Sequence, residues 1–293
     1  MISYAQNFED VMLRRVFRGR KDGFYIDVGA MDPVLESVTK FFYDEGWSGI
    51  NIEPNDCFYR KLLQERPRDI NLKLALGEKE ESRSMHMFEN IGNSTFQDAV
   101  RDHYVDRGFE TVDQTVRVST LTEVCRNFVK QEIDFLKLDC EGWEEAVIRG
   151  ADWDRFRPIV VVVEATAPDT TIPAWSGWEP YLIETARYDF VYFDGLNRFY
   201  VRREYSDLRC HFGTPPNVFD GFKPYVMQIA EQERDALRQE RDALATRVTQ
   251  LDAEKADLAE HAARSAELEK KLLQSRLWVG RLSQELISNK QRV

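Results

Sequence analysis

The run Phe24-Tyr25-Ile26-Asp27-Val28-Gly29-Ala30 constrains this chain more than any other stretch. A mostly apolar, β-prone segment ends in an acid and a glycine, and a helical pattern follows over residues 35–45. A strand without polar alternation is buried on both faces, and strand, glycine turn and helix in that order open a nucleotide-binding βαβ unit. Residues 49–52 repeat the strand and end at Glu53, an acid about 25 residues beyond the first strand, where it is placed to take both hydroxyls of a ribose.

The same rhythm continues. A helical pattern over residues 7–17 precedes the first strand, and another over 58–66 lies between Pro54 and Pro67. Strands are predicted at 71–75, 133–138 and 159–163, the last ending at Glu164, with helices at 121–129, 143–149 and about 178–186. Residues 190–194 and 199–201 read as a hairpin. The spacing predicts an α/β, Rossmann-like fold with a mostly parallel seven-stranded sheet and an antiparallel last strand. Residues 82–118 break the pattern and read as an insertion, with a β-like run at 85–88, a turn at Gly92-Asn93-Ser94 and a strand at 116–118.

From residue 225 the chain changes in kind, so the predicted domains are 1–224 and a long helix over 225–293. Leu237, Leu244, Leu251 and Leu258 recur every seven residues, and after Ser265 the phase continues at Leu272, Val279 and Leu286. Such a period predicts a coiled-coil-like helix seeking partners, and a homo-oligomer is expected. Arg234, Arg241 and Lys255 stand where the companion apolar positions would be, which leaves a lone solvated helix, or a tail packing on its own domain, as the alternative.

Composition excludes several classes. A formal charge of -11 argues against nucleic-acid binding, which needs a basic face. The four cysteines contain no Cys-x-x-Cys pair, so a zinc site is not expected. No apolar run reaches the roughly 18–20 residues of a transmembrane segment, and the start of the chain lacks a signal-peptide pattern. The expected location is cytoplasmic, with a partner protein as the route to the inner membrane surface.

Asp27-Val28-Gly29-Ala30-Met31-Asp32 supplies one glycine and two acids rather than the three glycines of a dinucleotide loop. Acids at a strand end repel phosphate but suit a sulfonium centre and sugar hydroxyls, so S-adenosylmethionine fits better than NAD and a dehydrogenase is disfavoured. Asp139 and Glu141 end the strand beside the switch point, where a methyl acceptor would sit. A carboxylate there can take the proton of an attacking hydroxyl, and with Glu164 the pair could instead hold a divalent cation such as Mg. His86, and less so His103, are further candidate bases, and Trp175, Trp178 and Tyr181 could stack on a sugar.

The chain resembles the FkbM-type family of class I S-adenosylmethionine-dependent methyltransferases. The resemblance rests on Ser3-Tyr4-Ala5-Gln6-Asn7-Phe8-Glu9-Asp10, on Tyr25-Ile26-Asp27-Val28-Gly29-Ala30 and on Asn51-Ile52-Glu53-Pro54. It continues in Gly92-Asn93-Ser94, in Asp134-Phe135-Leu136-Lys137-Leu138-Asp139-Cys140-Glu141-Gly142 and in Asp194-Gly195-Leu196-Asn197, and covers residues 1–223. It implies methyl transfer to a hydroxyl of a sugar, in a glycan or a glycosylated metabolite. It also implies that Asp27, Gly29 and Ala30 hold the methionine end of the cofactor, that Ser37 or Thr39 reaches its carboxylate, and that Asn55, Ala75 and Leu76 flank the adenine. A second reading, of another class, is an assembly or scaffold protein in which the helical tail is the working part and the methyltransferase-like domain is inactive.

Overall fold

The computed structural model describes residues 1–88 and 92–290, with side chains of the final helix described through residue 283. The backbone forms two compact units, Met1–Met227 and Gln228–Val293. The first is built on a seven-stranded sheet of β1 (Phe24–Val28), β2 (Ser48–Ile52), β3 (Ile70–Leu72), β4 (Phe135–Leu138), β5 (Val160–Glu164), β6 (Tyr188–Phe193) and β7 (Asn197–Arg202). Its spatial order is β6-β7-β5-β4-β1-β2-β3. The sheet is mixed. The pairs from β5 to β3 are parallel, whereas β7 runs antiparallel to both β5 and β6. The antiparallel strand therefore lies inside the sheet rather than closing its edge. A tight hairpin makes β7 the neighbour of β6, and its pairing with β5 leaves β6 outermost.

Continuous apolar sequence in β1 has the cause expected of it, because both faces of the strand are covered. Phe24, Ile26 and Val28 pack with Leu136, Leu138, Val161 and Val163 on one face. Tyr25 joins Phe135, Val160 and Val162 on the other, against Met12, Leu13, Phe42 and Trp47. The strand period of two puts Asp27 on the same side as Tyr25, which fixes the face from which the acid is approached.

The helices are α1 (Glu9–Val16), α2 (Lys40–Asp44), α3 (Asp56–Glu65), α4 (Asp98–Asp106), α5 (Leu121–Phe128), α6 (Glu144–Arg149) and α7 (Tyr225–Lys290). Helix α2 is much shorter than the 35–45 pattern predicts. Glu36 has a φ of 59°, a left-handed conformation that cannot continue into a helix, so residues 35–39 enter as irregular chain. The 178–186 pattern forms a single π-helical turn, Tyr181–Thr185, after a 3-10 turn at Trp175–Gly177. The 82–118 insertion forms a three-stranded sheet of Ala75–Leu76, Glu81–Met87 and Val112–Ser119, with α4 carried between the last two. The predicted 71–75 strand is thus split between two sheets.

Helix α7, taken by itself, carries Leu237, Leu244, Leu251, Leu258, Leu272 and Val279 at 46–69% exposure. The side chain of Leu286 lies outside the described residues. Among the described residues no helix is long and apolar enough to cross a membrane.

Candidate active site

The order of the sheet reverses beside β1, and the carboxyl ends of β1, β2, β4 and β5 open onto one crevice, as they do wherever a parallel sheet changes direction. Gly29 makes the crevice possible. Its φ is +74°, and a Cβ there would lie 1.8 Å from the Asp139 carbonyl oxygen, so only glycine lets the ends of β1 and β4 meet backbone to backbone. The Gly29 and Ala30 N–H groups donate to Ile52 O at 3.0 and 3.2 Å, which ties this turn to the end of β2.

Glu53 follows that strand end and is 5% exposed. Its Oε2 accepts from Met31 N at 2.9 Å and its Oε1 from Asn55 N at 2.7 Å. Burial pushes its carboxyl up to about 7 despite those two N–H groups. Glu53 faces a narrow slot lined by Pro54, Ala75, Leu76, Cys140 and Trp143. Gly29, Gly92, Asp139 and Glu141 line both this slot and a larger cavity of about 540 Å³.

The larger cavity is acidic. Glu9, Glu36, Asp139, Glu141, Glu164 and Asp169 line it, and Lys137 is the only Lys or Arg among the described lining residues. Lys137 Nζ lies 3.1 Å from Asp139 Oδ2 and 3.9 Å from Asp27 Oδ1, and donates to Gly29 O at 3.2 Å. Burial pulls this ammonium down, but Asp139 and Asp27 outweigh it and hold it above the usual lysine range. Burial pushes Glu141 and Glu164 well above the usual carboxylate range, and the Asp139 charge beside each adds to the effect. Glu9 is raised to about 8, by burial and then by Asp194. Burial and the neighbouring Asp139 charge thus favour the protonated form of Glu141 and Glu164, while Asp139 is paired with Lys137.

Strain collects around the same cavity. Met31 (48°), Glu36 (59°), Glu141 (51°) and Asp169 (54°) have positive φ, and all four line it. Glu141 is held there by Glu144, whose Oε1 accepts from Cys140 N at 2.9 Å and Gly142 N at 3.2 Å, closing the turn that starts α6.

The crevice brings together Gly29, Ala30, Glu53, Ala75, Leu76, Asp139, Glu141 and Glu164. It does not bring in the others. Asp27 is 1% exposed and lies beneath the lining, where Thr39 Oγ1 donates to its Oδ2 at 2.9 Å. Thr39 in turn accepts from the buried Arg66 at 2.9 Å, and the Ser37 hydroxyl is 3.3 Å from Thr39 Oγ1, so both hydroxyls brace Asp27. Asn55 caps α3 through Cys57 N and donates to Phe88 O. His86 lies outside the residues lining the crevice, with Nδ1 2.5 Å from Asp113 and Nε2 3.0 Å from Asp98. Both ring nitrogens of His86 are thus engaged by carboxylates of the small sheet and of α4 rather than directed at the crevice. Trp175 packs on Phe193 and Trp178 on Tyr200. The divalent-metal option also lacks a fit: Lys137 already sits beside Asp139, and among the described residues no group of three or more His, Cys, Asp or Glu side chains is arranged to hold a metal ion.

The sequence reading passed over Lys137 as a functional group. Its signal was present: a lone cation in an otherwise apolar strand faces an ion partner or a cavity. Glu36 and Asp169 had no comparable signal, since their position depends on left-handed turns that residue type does not announce.

A family model, the methyltransferase FkbM domain, matches residues 27–192. The chain belongs to this family. The match begins at Asp27 and ends within β6, so the FkbM region contains Glu53, Lys137, Asp139, Glu141 and Glu164. Membership makes methyl transfer the indicated chemistry and implies a methyl donor of the S-adenosylmethionine type. No curated protein matches the chain.

Proposed function

We propose that this FkbM-family chain is an S-adenosylmethionine-dependent O-methyltransferase acting on a sugar hydroxyl. The observation that carries the reading is the pairing of a Glu53-walled slot with an acidic cavity across Gly29 and Asp139. The chemistry of the donor set fits the cofactor: Glu53 retains lone pairs for ribose hydroxyls, Ala75, Leu76 and Cys140 offer an apolar seat for a base, and the carboxylates suit a sulfonium. When bound, that group supplies an electrophilic methyl. The protein's part is to fix the acceptor and handle its proton. Asp139, oriented by Lys137, accepts the hydroxyl proton, and Glu141 and Glu164, whose burial favours the protonated form, donate hydrogen bonds to acceptor oxygens. An anionic acceptor such as a phosphate meets a lining whose one lysine, Lys137, is already engaged by Asp139, whereas a polyol offers hydrogen-bond partners to the carboxyl side chains.

Titration calorimetry tests the cofactor directly. S-adenosylmethionine and S-adenosylhomocysteine should bind the wild-type chain, and Glu53→Ala should weaken both at least tenfold. Absence of binding, or equal affinity in the variant, removes the reading.

The exposed leucine seam of α7 supports a quaternary role, in which residues 225–293 join copies of the chain. A tail that instead docks on a glycan-assembly protein would bring the enzyme to its acceptor by the same surface.

A further inference from the structure

Beside the acidic cavity, on the far side of the Glu141–Gly142 turn, lies a second groove of about 460 Å³. Thr170 lines both spaces, so the groove continues the cavity. Its character is different. Val100, Ala167, Pro168, Ala174 and Trp178 give it an apolar surface, and Gln97, His103 and Glu145 add polar groups. Trp178 is 2% exposed, yet its indole N–H has no hydrogen-bond partner. A buried donor left unpaired is costly and is normally satisfied by protein, water or ligand.

We propose that this groove is a second acceptor subsite, holding the sugar ring linked to the one that is methylated; the inference rests on the sugar O-methyltransferase reading above. A pyranose ring presents apolar C–H faces and a rim of hydroxyls, which matches apolar walls with polar groups at the edge. The indole N–H of Trp178 supplies a donor for a ring or hydroxyl oxygen, and the Glu145 carboxylate an acceptor for a hydroxyl. The volume is within the range of ordinary ligand sites. Substrate recognition then spans two rings, with the reacting hydroxyl on the ring in the acidic cavity.

The test uses the full-length chain with S-adenosylmethionine and two sets of acceptors, methyl hexopyranosides with their 6-deoxy analogues and the disaccharides built from them. The protein carries 5-fluorotryptophan at its six tryptophans, and Trp178→Phe assigns the Trp178 fluorine resonance. The expected result is at least a tenfold higher kcat/KM for a disaccharide than for its matching methyl glycoside, arising in KM, with a shifted Trp178 resonance. Ala99→Trp, on the groove side of α4, should lower that ratio at least fivefold. A ratio near one with an unmoved Trp178 resonance overturns the subsite while leaving methyl transfer intact. A shifted resonance without transfer to any sugar supports the groove and removes the O-methyltransferase reading. Neither shift nor transfer overturns both.

Discussion

Lys137 on β4 and Asp139 just past its end hold their charges 3.1 Å apart at the lip of the crevice. The period of a strand puts both side chains on the same side, and Lys137 reaches back toward Asp27 as well. One ammonium thus serves two carboxylates, and removing it leaves the buried Asp27 with only Arg66 and the Thr39 hydroxyl to offset its charge. Lys137→Met should destabilise the domain by about 3 kcal/mol, the typical cost of breaking a buried pair on one side. Denaturant unfolding of wild type and variant measures it. A loss within error of zero would show that solvent already screens the pair.

Asp139→Asn tests the proposed proton acceptor. The amide keeps the shape and can still meet Gly29 and Cys140 as neighbours, but it cannot take a proton. Single-turnover methyl transfer should slow by about 100-fold or more, the usual range for a general base. Cofactor affinity should change far less than this rate. A rate within threefold of wild type reassigns the proton to another group.

Stability should depend on pH with an uncommon sign. Glu9 is raised to about 8, and Glu53 and Glu144 to about 7, each from an ordinary 4.5 and each chiefly by burial. The folded chain therefore keeps protons that the unfolded chain has released across this window. Their contribution is fully present below about pH 4.5 and is lost as pH rises through 7 to 8, at up to about 1.4 kcal/mol per pH unit per group. Thermal melting of the ligand-free protein should fall between pH 5.5 and 8.5, and Glu9→Gln should flatten the slope. A melting temperature that rises over this range contradicts the burial argument.

The seam of α7 makes a separate prediction. Leu244→Asp with Leu251→Asp places two charges on the exposed apolar line. Light scattering after gel filtration should show a smaller assembly than wild type, with helix content reduced, because a long helix depends on a partner for its apolar face. An unchanged mass would assign the seam to something other than self-association.

How far the chain could be read in advance varied with the physics involved. Strand β1 was legible to the residue because burial on both faces leaves a continuous apolar run, and Glu53 because strand, helix and strand lengths fix where β2 ends. Asp139 followed from the same register. The partners of Thr39 and Asn55 are not legible for a local reason: short polar side chains beside a turn satisfy nearby groups first, here Asp27 and the start of α3. The partners of His86, Asp98 and Asp113, are hidden because they come from an insertion whose folding sequence periodicity does not foretell. The shortness of α2 was hidden for the same kind of reason, since nothing in the residue type of Glu36 announces a left-handed backbone.

The positive φ values at Met31, Glu36, Glu141 and Asp169 carry a consequence for engineering. Glycine at any of these positions would relieve backbone strain of order 1 kcal/mol. Stabilised descendants of this chain are thus one substitution away at four points, and each such route removes a side chain that faces the crevice. Selection for heat resistance alone would tend to empty the cavity wall, so thermal tolerance and turnover should trade against each other along that rim.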